Sequence, residues 1–114
     1  MRTNIIMNTR FVGYHYWKDA PIKVDFLKNV HRHEFHVEVK LSVDHDDREL
    51  EFCFIKDHLS SFLNGRYKNR TFTESCEQIA GNVLNFIWVE YGLSRKVYVK
   101  VMEDGENGAE IYSE

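Results

Sequence analysis

The run H-R-H-E-F-H-V-E-V-K-L, residues 31 to 41, alternates without a break. A period of two over that length fits a β-strand and no helix. It therefore forces a sheet to be the organising element of the fold. Side chains two apart on a strand point the same way, so His31 and His33 share one face about 7 Å apart along the backbone. His36 falls on the other face.

A second strand-like run, F-V-G-Y-H-Y-W, carries His15. If its strand lies beside the first, three imidazoles converge on one point. Three imidazoles with a fourth position left open are the donor set of a catalytic zinc rather than a structural one. The plainer alternative is that these are half-buried polar residues of a histidine-containing sheet.

The chain alternates from about residue 4 to 17, breaks at Ala20-Pro21, and crosses a loop from 18 to 29 with Phe26 and Leu27 as its anchors. A long strand follows over 30 to 44. The cluster D-H-D-D-R then predicts a turn at Asp46-Asp47, and E-L-E-F resumes alternation as the second arm of a hairpin. His45 is a solvated turn residue there.

From Phe54 the period shifts to three and four, giving a helix that ends near Asn64-Gly65. The basic stretch N-G-R-Y-K-N-R is a solvated loop, with an anionic substrate group as its alternative contact. S-x-x-Q at Ser75 to Gln78 is a capping box for a second helix, which stops at Tyr91-Gly92. Residues 95 to 103 form another strand. D-G-E-N-G-A is a turn, and E-I-Y-S is a short last strand. Strands segregated from helices define an α+β class, with an antiparallel sheet and two helices on one face.

The 114 residues suit one domain, residues 1 to 114, and 43% apolar content supplies a core. Basic residues are scattered among acids at a net charge of −3, which excludes a nucleic-acid footprint. The first ten residues hold no apolar stretch of signal-peptide length, and no run spans a membrane. Cys53 and Cys76 are isolated, with no metal or redox spacing. The expectation is a soluble cytoplasmic protein with reduced thiols.

Five stretches resemble the 6-pyruvoyl-tetrahydropterin synthase family, which includes the 6-carboxy-tetrahydropterin synthases of the queuosine route. R-F-V-G-Y-H-Y-W is similar to its first strand, and V-H-R-H-E-F-H-V to its H-G-H motif. E-L-E-F-C-F-I-K is similar to the step into its first helix, S-C-E-Q-I-A to the start of its second, and V-K-V-M-E-D-G to the strand that delivers a pterin-binding glutamate. The resemblance covers most of the chain. It implies the tunnelling fold, or T-fold: two strands, two helices, two strands, assembled as a trimer or a hexamer.

It further implies Zn2+ on His15, His31 and His33, and a pterin-like small molecule held by Glu103, with Glu77 as a second glutamate. Glu103 could instead be a strand-end surface charge, and Glu77 a helix-dipole residue. Cys76, in the first turn of the same helix, joins the candidate substrate-binding residues. The preferred reading of its place is a small side chain packed at a helix start, and a thiol whose pKa the helix N-terminus lowers is the alternative.

Two family features are missing. Leu27 stands where the family has its cysteine base, leaving Asp25 as the nearest carboxylate and the candidate catalytic base. The Asp-His pair after the first helix is absent, and Asp57-His58 imitates it only inside a helix. The expected function is therefore a zinc-dependent tetrahydropterin synthase-like lyase acting on a dihydropterin. The alternatives are a module that binds a pterin or guanine-like ligand without turnover, and a structural oligomer with no ligand.

Overall fold

The computed structural model describes residues 1–113, and their arrangement is α+β. In chain order come β1 (Thr3–His15), a 3-10 segment (Ile22–Lys28), β2 (His31–Val43), α1 (Phe52–Arg66), β3 (Thr71–Phe72), α2 (Cys76–Tyr91), β4 (Val97–Glu103) and β5 (Asn107–Tyr112). The five strands form one sheet in the order β3-β1-β2-β4-β5. It is mixed, not purely antiparallel as the sequence predicts. β3 runs parallel to β1, with His15 opposite Phe72, while all other pairs are antiparallel.

β1 and β2 pair along their whole length, from Thr3 opposite Val43 to His15 opposite His31. The alternation of β2 places Phe35, Val37, Val39 and Leu41 on the buried face. Met7 and Phe11 of β1 and Val97, Val99 and Val101 of β4 join them. Ile55, Leu59 and Leu63 of α1, with Ile79, Val83 and Ile87 of α2, cover that face from one side. Truncating a buried aromatic such as Phe35 to alanine in a core of this kind costs about 3–5 kcal/mol.

The predicted hairpin at Asp46-Asp47 does not form. Both edges of β2 are already taken, one by β1 and the other by β4 from Leu41 opposite Val97 to Phe35 opposite Glu103. With no free edge beside it, E-L-E-F instead opens α1, and the Glu51 side chain caps that helix by accepting from the Cys53 N–H at 2.8 Å. The second helix begins as its sequence predicts. Ser75 and Gln78 form the reciprocal capping box, and Gly92 ends the helix at a φ of 128°.

The basic stretch begins in the last turn of α1, and all of its residues but one are exposed, as expected. Tyr67 is fully buried, accepting from Asn82 Nδ2 at 2.8 Å, and Phe72 packs beside it. The 18–29 crossing contains the 3-10 segment, kinked at Val24. Phe26 does not anchor it, being 63% exposed; the tie is the Trp17 N–H donating to the Leu27 carbonyl at 2.7 Å.

β4 turns into β5 through Asp104 and Gly105, both at positive φ, with the Glu106 N–H donating to the Glu103 carbonyl. Positive φ at both central positions is the geometry that Asp-Gly favours in a tight hairpin. Gly108 is required by space. A Cβ there would overlap the Val101 carbonyl oxygen. Among the described residues no helix is long and apolar enough to cross a membrane.

Candidate metal centre

Pairing register brings the three histidines together. His15 ends β1, His31 begins β2, and the two are directly opposite, so their ring centroids lie 4.6 Å apart. His33, two residues on, faces the same way with its centroid 5.4 Å from that of His15 and 5.0 Å from that of His31. One ligand nitrogen from each ring lies within 4.8 Å of the others. This group can therefore bind a metal ion.

The cluster rests on aromatic side chains. The Phe35 ring meets His15 edge-on at 5.2 Å, and Phe72 meets it at 5.7 Å. Gly13, opposite His33, leaves room for Phe72, because a Cβ there would come within 3.0 Å of its ring. An apolar shell of this kind limits water access and strengthens charge interactions at the centre.

Each ring is oriented by an acceptor at Nδ1. His15 Nδ1 donates to the Glu74 carbonyl at 3.1 Å, and His31 Nδ1 to the Asn29 carbonyl at 2.8 Å. His33 Nδ1 donates to the Asp104 carboxylate at 2.6 Å. A carbonyl accepts only, so Nδ1 of His15 and of His31 carries a proton, and in the neutral ring Nε2 presents its lone pair. These are the outer partners that metal-ligating histidines use to fix tautomer and ring angle. Asp104 is itself held by the Glu34 N–H at 2.9 Å, and its carboxyl sits below the usual range because of that N–H first and His33 second. Burial lowers the pKa of His15 against the opposing pull of the Glu74 carbonyl and Glu103. A neutral imidazole is the form that binds metal.

Glu103 closes the cluster. As the last residue of β4 it lies opposite Phe35 and shares the face of the histidines. Its Oε2 is 3.0 Å from His15 Nε2, and its Oε1 is 3.7 Å from His33 Nε2. Beside the centre lies a cavity of about 650 Å³ lined by His15, His31, Trp17, Leu27, Glu77 and Glu103, among others. Glu74, Cys76 and Gln78 also face it, so the start of α2 forms one wall.

The sequence-derived candidates are distributed as follows. His15, His31 and His33 form the cluster, while Glu103, Glu77 and Cys76 line the adjoining cavity. Asp25 is exposed on the 3-10 segment and is not among the residues that line it. Cys76 is buried at the helix start, as the packing reading has it, and its thiol is not lowered: burial, then the charges of Glu103 and Glu77, push it up to about 12. Desolvation of the thiolate outweighs the helix terminus there. His36 pairs with Glu34 at 3.0 Å, and His58 is bonded to the Tyr91 hydroxyl at 2.9 Å and edges against Phe86. Neither belongs to the cluster.

Three partners, Glu74, Asn29 and Asp104, were not singled out from sequence. Two act through backbone carbonyls, which leave no residue-type signature. Asp104 alone carried a usable signal, as an Asp-Gly turn at the end of the strand that pairs with β2. No protein-family model matches the chain, and no curated protein matches it.

Proposed function

We propose that this chain is a T-fold protein of the 6-pyruvoyl/6-carboxy-tetrahydropterin synthase type, a zinc-dependent lyase acting on a dihydropterin-type substrate. The observation that carries this reading is the three-histidine cluster opening onto a cavity with carboxylates on its walls. The element order and the five quoted sequence stretches support the T-fold. β1 pairs on its outer side only at Tyr14 and His15, leaving an edge that trimer or hexamer assembly would cover.

The donor set fits zinc. Three imidazoles with engaged Nδ1 atoms suit a borderline-soft ion that needs no redox chemistry. His15, His31 and His33 would hold it, and as a Lewis acid it would polarise a substrate oxygen and acidify the neighbouring C–H. The protein's own groups do the rest. Glu103 and Glu77 can accept paired N–H bonds from an aminopyrimidine edge. Rings lacking those donors leave the carboxylates unpaired and are rejected. Trp17 and Leu27 give the cavity an apolar part of its lining.

The test is incubation of zinc-loaded protein with dihydroneopterin triphosphate. Product formation above that of H31A supports the lyase. A second reading has its own observation. Leu27, which cannot move a proton, lines the cavity where the family has its base, and Asp25 does not. Tight pterin binding without conversion would assign the protein to ligand sequestration or sensing.

A further inference from the structure

We infer that the uncovered face of the sheet carries a second binding site, for a phosphate-bearing small molecule, between Arg2, Lys40, Lys96 and the Tyr98–Tyr112 pair. It lies apart from the histidine centre and does not depend on the function proposed for that centre.

Strand register builds the site. On β2, Val39 and Leu41 turn to the helices, so Lys40 between them points to the opposite face. Lys40 lies across from Tyr98 of β4, and Tyr98 across from Tyr112 of β5. The Lys40 Nζ sits 4.7 Å from the centre of the Tyr98 ring, and the two tyrosines stack with centroids 6.4 Å apart. Lys96 belongs to the next row. Its N–H donates at 2.8 Å to the hydroxyl of Ser42, the residue two beyond Lys40 on β2. Arg2, just before β1, completes the set. Together these residues line a cavity of about 570 Å³. It occupies the end of the sheet remote from His15 and His31.

Charge decides what the cavity accepts. The chain carries a net charge of −3, yet among the described residues no acid lines this cavity. The acids of the adjacent row are already engaged. Glu38 pairs with Lys100 at 3.9 Å, and Glu110 accepts from the Tyr98 hydroxyl. Among the described residues, none of Arg2, Lys40 and Lys96 is ion-paired. Cations gathered in this way repel one another, and an anion between them removes that cost.

A phosphate suits the set better than a carboxylate does. A carboxylate brings one charge, whereas a phosphate monoester brings about two, with three acceptor oxygens. A guanidinium fork and two ammonium groups match that number of acceptors. The volume falls within the range of small-molecule sites and exceeds what a bare phosphate fills. The remainder lies against the exposed ring of Tyr112, where the group that the phosphate esterifies can pack.

The experiment titrates metal-free protein with inorganic phosphate and with phenyl phosphate, so that no metal at the histidines can hold the anion. Calorimetry reads the affinity, and amide NMR shifts locate the contact. Shifts at Lys40, Lys96 and Tyr112, with His31 and His33 undisturbed, are expected. K40Q and K96Q should each weaken phenyl phosphate about tenfold, the loss of one charge-assisted hydrogen bond. K100Q removes an equal charge from the same face one row away, and should change the affinity less than about twofold. Tighter binding of phenyl phosphate than of phosphate assigns the site to an ester, and equal affinities assign it to free phosphate. Equal losses in K40Q, K96Q and K100Q would overturn the inference, since only the overall charge would then matter. Shifts confined to the histidine end, or no binding of either probe at millimolar concentration, would overturn it too. The wild-type shifts decide the matter even where a variant fails to fold.

Discussion

The two ends of the β1–β2 ladder each carry a polar cluster, and they differ in one respect. At the end near Val43, Arg95 donates from Nε to the Tyr91 carbonyl at 2.9 Å, from Nη1 to the Ser42 carbonyl at 3.0 Å, and from Nη2 to Glu49 at 2.7 Å. Donors meet acceptors and the network is closed. At the other end, the imidazole Nδ1 donors are spent on outer partners, and Nε2 atoms and a carboxylate converge. Its Nε2 atoms can take a proton or a metal ion. A closed cluster of this kind joins loops and strands, whereas an open one is an address for a ligand.

The contrast can be broken in four ways. Removing a ligand is the most severe: H31A should weaken Co2+ or Zn2+ binding by more than about 100-fold, because loss of an outer partner alone already costs 10–100-fold. A competition titration against a chromophoric chelator measures it, and an unchanged affinity would discard the three-histidine centre. R95A should leave metal affinity as it is and lower unfolding free energy by about 2 kcal/mol, since it strands carbonyls and a carboxylate. Urea denaturation reads that loss.

D104N keeps the shape of the turn but weakens the hold on His33 Nδ1. A roughly tenfold loss of metal affinity is expected, with little change in stability. The smallest effect is a pH dependence at the closed end. The Arg95 guanidinium first, and the Asp44 N–H second, hold the Glu49 carboxyl below its ordinary value. A carboxyl depressed on folding adds stability above its unfolded pKa and loses it as pH falls through the folded one. Wild type should therefore lose more of its urea midpoint than E49Q between neutral pH and pH 3. Parallel curves would show that Glu49 contributes nothing through its charge.

Sequence reading located the centre because its ligands obey a simple period. His31 and His33 are two apart on a run that can only be a strand, and His15 ends the run that pairs with it. The capping box at Ser75 was equally local and equally legible. Pairing partners were not. The alternation of E-L-E-F suggested a hairpin, but whether β2 had a free edge depended on β4, more than fifty residues away. β3 was invisible for the same reason, since two residues carry no period. Cys76 shows a different limit. Its place in the helix was clear, while its pKa is set by burial and by Glu103, which come from tertiary packing.

The uninterrupted zipper between β1 and β2 has a consequence for quality control. Because side chains on a strand alternate, an offset of β2 by one residue would turn His31 and His33 to the opposite surface while leaving the backbone ladder intact. Such a mispaired chain could still collapse, yet it would be blind to divalent ions. Capture on an immobilised-metal surface would then sort molecules by strand alignment, a readout of folding fidelity written into three side chains.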